Sequence, residues 1–139
     1  MPHGDEAEVT IEEAIDFGLK THEKGDLAAA ESIYSQILEV DPKNSKVYQL
    51  LGVLQIQTGK ILDSLSSFDH AIDYEPGMAE AYCNKGLALQ KLGRSAEAVE
   101  NFQEAINHNP EIADFYVGLG SALDDEQRFD EAVKVFNKA

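Results

Sequence analysis

The chain has 139 residues, of which 43% are hydrophobic and 27% charged, with a formal net charge of −15 and a pI near 4.4. Because this surface repels phosphate backbones and anionic lipid headgroups, we exclude nucleic acid and membrane surfaces as partners and expect a protein or peptide. A single cysteine rules out an internal disulfide framework and favours a reducing compartment, so we expect a soluble, cytoplasmic protein.

The first ten residues carry three acids and no apolar run, which predicts a flexible acidic leader over 1–10. Thr10 followed three residues later by Glu13 is a capping box, which predicts that the first helix begins beside it. No later segment reaches the ~18 uninterrupted apolar residues of a membrane span, so membrane insertion is not expected.

The rest of the sequence repeats every 34 residues. The repeated positions form several columns, among them Pro42, Pro76 and Pro110; Gly18, Gly52, Gly86 and Gly120; Tyr34, Phe68, Phe102 and Phe136; and Gly25, Gly59 and Gly93. Several columns in one register indicate a tandem structural repeat.

Each column has a physical explanation if the repeating unit is a pair of antiparallel helices. Small residues allow the first and second helices to approach closely, and the aromatic residues fill the space between hairpins. Glycines of the Gly25 column can end a helix in the left-handed conformation, and the prolines mark the turns between units. Helices should therefore start near Ile11, Ala28, Ser45, Leu62, Ala79, Ala96, Ala113 and Asp130.

These columns resemble the tetratricopeptide repeat family, in which a Tyr-x-x-[Leu or Lys]-Gly core is followed by Ala, an aromatic residue, Ala and Pro. The resemblance implies an all-α fold: tandem helix-turn-helix repeats stacked in a right-handed superhelix, an α-solenoid. It covers residues 11–139, with repeats at 11–44, 45–78 and 79–112 and an incomplete one at 113–139. The departures are Ala14 for the first aromatic residue, Ser64 for the second-helix alanine and Gln127 for the fourth turn glycine.

In this family the first helix of every pair lines a concave wall, which is the default binding surface. The repeat register predicts a partly apolar groove on that wall, with side chains that expose area to a bound peptide or helix. The predicted peptide-binding residues are Ile15, Leu19, Gln49, Val53, Ile56, Cys83, Asn84, Leu87 and Gln90. Since the central repeats carry little net charge, binding should depend only weakly on salt.

Two ligand modes of the family match poorly. Ile15 and Leu19 occupy slots where the clamp for heat-shock chaperone tails would need Lys and Asn, so such tails are not expected. Asn84 matches one slot of the asparagine ladder that contacts peptide backbone in repeat domains resembling those of O-linked N-acetylglucosamine transferases. Leu50 and Gly118 interrupt that ladder.

Catalytic chemistry is not indicated, and we expect neither an enzyme, a cofactor nor a metal site. The histidines, His3, His22, His70 and His108, lie far apart in sequence without a helical metal-binding pair. Cys83 has no neighbouring histidine that could activate it. Asp124, Asp125 and Glu126 lack the glycine-containing loop of a calcium site and are read as a solvated helix end.

Three functions remain open from the sequence. The first is an interaction scaffold or adaptor that binds a peptide or helix in the groove. The second is the recognition domain of a longer enzyme, because residues 25–54 resemble repeats N-terminal to glycosyltransferase-like and sulfotransferase-like domains. The third is a self-assembling scaffold, because residues 129–139 resemble repeats of magnetosome-associated and other polymerising family members. Self-association would use the edge of the last repeat, where Val133, Val135 and Phe136 should be covered on one side only.

Overall fold

A computed structural model describes residues 8–139, which contain eight α-helices and no β-strand. The predicted leader therefore lies mostly outside the described residues, as does His3. Every predicted helix start agrees with the structure to within one residue. The helices are α1 (Ile11–Glu23), α2 (Leu27–Val40), α3 (Ser45–Gln57), α4 (Ile61–Tyr74), α5 (Ala79–Lys91), α6 (Ser95–His108), α7 (Ala113–Asp125) and α8 (Phe129–Phe136).

Each helix packs against the next along the chain, and α5 also contacts α3 and α7. The first helices of the second, third and fourth hairpins, α3, α5 and α7, therefore stand side by side and form one wall. The all-helical stack of antiparallel hairpins predicted from the 34-residue period is confirmed. None of the helices among residues 8–139 is long and apolar enough to cross a bilayer.

The turn inside each hairpin is built the same way four times. Gly25, Gly59 and Gly93 have φ angles of 86°, 82° and 76°, and Gln127 takes the same left-handed conformation at 61°. The next residue donates its backbone N–H to a carbonyl five residues back, as in Arg128 N to Leu123 O at 2.8 Å. This bond pattern closes a helix C-terminus, and it confirms the role predicted for the glycine column.

The aromatic column forms the centre of the stack, because Tyr34, Phe68 and Phe102 are completely buried. Each ring lies over the glycine of its own hairpin. A Cβ atom built on Gly52 would lie 2.5 Å from Cε1 of Phe68, and one on Gly86 would lie 3.0 Å from Cε1 of Phe102. The glycines therefore let the paired helices approach closely, as their spacing predicted.

The helix starts differ from repeat to repeat. Thr10 and Glu13 form the predicted capping box at α1, and Asn44 accepts a hydrogen bond from the backbone N–H of Val47 at α3. The equivalent N-cap residues of α5 and α7 are apolar, Met78 and Ile112, and provide no side-chain hydrogen bond. These two helices therefore begin without the stabilisation that a polar N-cap gives.

Candidate functional site

An open groove of about 1120 Å³, here called the central groove, runs along the wall of first helices. It is lined by side chains of α3, α5 and α7 and by the turns that precede α5 and α7. The first-helix wall predicted as the binding surface therefore does contain a cavity. A second, smaller cavity of about 760 Å³ lies between α1 and the start of α3.

Five of the nine predicted peptide-binding residues line the central groove: Gln49, Cys83, Asn84, Leu87 and Gln90. Two more, Ile15 and Leu19, line the smaller cavity beside α1. Val53 and Ile56 are half-buried and line neither of these two cavities. Seven of the nine predicted peptide-binding residues therefore lie in two cavities, one beside α1 and one along α3, α5 and α7.

Ile15 differs from expectation, because it was predicted to expose side-chain area and is only 8% exposed. It packs with Tyr34 and Val47 in the core between the first and second repeats. The apolar side chain fills the space beside the aromatic ring, so little of it remains for a ligand.

The exposed apolar surface of the central groove extends from α5 to α7. Leu87 is 39% exposed and Val117 is 48% exposed, although large aliphatic side chains are usually inside. Leu50, Met78 and Ile112 also line the groove. These five side chains, here called the apolar stripe, give the groove its hydrophobic contact surface.

Met78 and Ile112 were missed by sequence reasoning, yet the sequence contains a signal for them. Both occupy the column of Asn44, two residues after a proline, where the chain needs an N-cap for the next helix. An apolar residue there forgoes about 0.5–2 kcal/mol of capping free energy. An apolar residue in this column, in place of a capping one, was the available signal that Met78 and Ile112 line the groove.

The electrostatic character of the groove is negative. Three carboxylates, Glu75, Glu80 and Asp114, line it together with one lysine, Lys46. Burial, followed by the carboxylates of Asp114 and Glu80, raises the pKa of the Cys83 thiol to about 11. The acidic lining changes the expectation of weak salt dependence, because a cationic ligand would be attracted to these carboxylates.

Polar side chains in the groove differ in whether they are already bonded. Gln90 Nε2 donates to Ser121 Oγ at 2.8 Å and to Asp125 Oδ2 at 2.7 Å, so this amide connects α5 to α7. Asn84 is half-buried and forms no side-chain hydrogen bond with any residue of the described part of the chain. Asn84 thus differs from Gln90, whose amide is already bonded between α5 and α7.

Each histidine of the described residues, His22, His70 and His108, contacts a tyrosine ring. His22 Nδ1 lies 3.1 Å from the Tyr34 hydroxyl oxygen, within hydrogen-bond distance, and its Nε2 is hydrogen-bonded to Gln57 Oε1. His70 stacks on Tyr48 and His108 on Tyr82, with ring centroids 4.8 and 5.2 Å apart. Within residues 8–139, no group of three or more His, Cys, Asp or Glu side chains is arranged to hold a metal ion.

Comparison with known proteins agrees with this architecture. The model of a family described as tetratricopeptide repeat matches residues 83–139. A crystal structure of MamA superimposes with a TM-score of 0.86 at 23% identity, covering 94% of this chain and 76% of that one. A structure of MamA residues 41 to the end from Desulfovibrio magneticus RS-1 gives 0.84 at 20% identity, covering 94% and 74%. No curated protein sequence matches significantly.

Proposed function

We propose that this protein is an interaction scaffold that binds a basic, partly apolar peptide segment in the central groove. The tetratricopeptide-repeat match over residues 83–139 and the fold shared with the MamA structure support this proposal. The observation that carries the proposal is the apolar stripe on an acidic wall. Leu87 and Val117 expose large apolar areas there, beside Glu80 and Asp114. Exposed apolar patches rimmed by polar groups mark interaction sites.

The apolar stripe determines what the peptide presents to the groove. Its members come from three first helices and two turns, so a ligand must span successive repeats to contact all of them. An extended segment or a helix with apolar side chains on one face satisfies this requirement. We therefore expect several apolar anchor residues along the bound segment.

The charge of the groove determines which residues of the peptide should flank its apolar anchors. The groove has three carboxylates against one lysine, and the chain as a whole has a net charge of −15. Lys or Arg residues beside the anchors would pair with Glu75, Glu80 or Asp114, while acidic peptides would be repelled. Asn84 lines the groove and would add a place for a hydrogen bond to the backbone of the ligand.

A location in the cytoplasm is part of this proposal. It is supported by the single cysteine of the sequence, Cys83, which is buried and free. A reducing compartment suits such a residue because a free thiol there remains unoxidised.

The proposal is tested by selecting ligands from a displayed library of random peptides on the immobilised protein. We expect enrichment of peptides that combine apolar residues with Lys or Arg. The enriched peptides should no longer bind a Leu87→Glu variant, because this change puts a charge in the apolar stripe. They should still bind Leu62→Glu, because Leu62 is an exposed residue of α4 outside the groove. Enrichment of acidic peptides, or equal recovery on both variants, would contradict the proposal.

A further inference from the structure

Four polar side chains are buried in the part of the chain that the structure describes. Three of them are serines, and each donates its hydroxyl to another residue of the protein: Ser64, Ser67 and Ser95. The fourth, Gln49 on α3, is 8% exposed and forms no side-chain hydrogen bond with any residue from 8 to 139. Buried amides normally have a hydrogen-bond partner, so Gln49 differs from the rest of the polar interior.

The amide of Gln49 faces the central groove. Gln49 lines this groove, and every fully enclosed side-chain nitrogen or oxygen among residues 8–139 has a partner. Since Gln49 has no partner, its amide nitrogen and oxygen both reach the groove surface. The equivalent residues on α1 and α5 are Ile15 and Cys83, which are each 8% exposed and have no amide. The second repeat therefore presents an amide at a position that packing alone would fill with a less polar side chain.

The position of Gln49 restricts what can cover the groove. Gln49 precedes Leu50 of the apolar stripe, so a ligand on the stripe at α3 covers the amide and removes water from it. An amide that loses water without gaining a new partner is left unsatisfied, which weakens binding. A ligand that binds well must offer an acceptor to the amide nitrogen and a donor to the amide oxygen.

A helix and an extended segment differ in what they can offer. The backbone groups inside a helix are bonded to each other, and its apolar face has no polar groups. An extended residue leaves its N–H and C=O free, and paired strands exchange both bonds at one residue. We propose that the peptide binds in extended conformation, with the N–H and C=O of one residue bonded to Oε1 and Nε2 of Gln49. This inference rests on the proposed function and selects one of the two ligand conformations that the function allows.

The side chains of such a peptide would meet different surfaces on its two sides. On α5 the position equivalent to Gln49 has Glu80 one helical turn before it and Leu87 one turn after it, and both line the groove. Successive side chains of an extended segment point to opposite sides. A peptide that runs from α3 to α5 over this position therefore places alternate residues beside the carboxylate and beside the apolar stripe. Basic and apolar residues should alternate along its sequence.

The peptides obtained from the library selection test the conformation. Basic and apolar residues should alternate in the enriched sequences, and an isotopically labelled peptide bound to the protein should have the Cα chemical shifts of an extended backbone. Apolar residues that recur every three and four positions, or helical shifts in the bound peptide, would overturn this inference and leave the proposed function intact. If no peptide is enriched, the proposed function fails and this inference fails with it.

Gln49→Leu tests the role of the amide. Leucine is similar in size, and Ile15 shows that an apolar side chain fits the equivalent position, so stability toward urea should be unchanged or higher. The variant should bind the selected peptide about five- to thirtyfold more weakly, because the two hydrogen bonds are lost. Gln103→Leu, at an exposed residue of α6 outside the groove, should bind it like the unchanged protein.

Methylation of the peptide nitrogens, one at a time, locates the bond to Gln49. One methylated position should weaken binding to the unchanged protein about tenfold and should have little effect on binding to Gln49→Leu, which no longer has the acceptor. Equal affinity of Gln49→Leu and the unchanged protein would overturn the proposal, as would methylation effects that are the same on both proteins at every position.

Discussion

Gly118 at the start of the fourth repeat lies directly against the ring of Phe102 in the third. A Cβ atom at residue 118 would be 2.5 Å from Cε1 of that ring, closer than real Cβ contacts allow. Phe102 also lies over Gly86 of its own hairpin, so the ring is enclosed by two glycines from successive first helices. The spacing between the third and fourth repeats therefore depends on the absence of both side chains.

We expect Gly118→Ala to destabilise the protein by ~1–3 kcal/mol, although alanine is the better helix former. The added methyl group must displace the Phe102 ring, which is completely buried. Gly77→Ala is the matched control, because a Cβ atom there has open space around it. Equilibrium unfolding in urea measures both, and equal stabilities would show that the third and fourth repeats are not closely packed.

Phe102→Ala should lower the free energy of unfolding by ~3–5 kcal/mol, since it removes a ring from the middle of the stack. Phe136→Ala in the same column should cost much less, because that ring is 43% exposed. The comparison is made by thermal and urea denaturation of the two variants. A loss below about 1 kcal/mol for Phe102→Ala would contradict its place in the core.

Gln127→Gly should stabilise the chain by about 0.5–1 kcal/mol. Gln127 has a φ angle of 61°, where a side chain is strained and the other three repeats have glycine. The opposite kind of change, from glycine to a residue with a side chain, is Gly59→Ala. It should lower the stability by at least a similar amount, because Gly59 has a φ angle of 82°. Melting temperatures that move in the opposite directions would refute this explanation of the turn.

Cys83 should react slowly with iodoacetamide at pH 8, by a factor of about 100 relative to the unfolded chain, because its folded pKa of about 11 leaves little thiolate. Between pH 9 and 11 the folded chain holds this proton more tightly than the unfolded chain. The contribution of the protonated Cys83 thiol to the free energy of unfolding is thus fully present below pH 9, and it is lost as the pH rises through 11. Mass spectrometry of alkylation against pH follows the titration, and rapid labelling at pH 8 would show an accessible thiolate.

The fold could be predicted from the sequence because its constraints are local and repeated. The turn glycines and the aromatic residues each recur in one register, so a position misread in one repeat is corrected by the other repeats. All eight helix starts were predicted to within one residue. The groove depends on contacts between repeats, which the register alone does not describe. Ile15 turned inward beside Tyr34, and Met78 and Ile112 reached the groove from turns that had been read only as boundaries.

The central claim, a basic and apolar ligand in the central groove, is tested most directly by one affinity measurement. A fluorescent peptide from the library selection is titrated with the unchanged protein, Leu87→Glu and Leu62→Glu, at low and high salt. We expect Leu87→Glu to weaken binding at least tenfold, about 1.4 kcal/mol, with Leu62→Glu unchanged and affinity falling as salt rises. Equal affinity for all three proteins, or affinity that increases with salt, would contradict the claim.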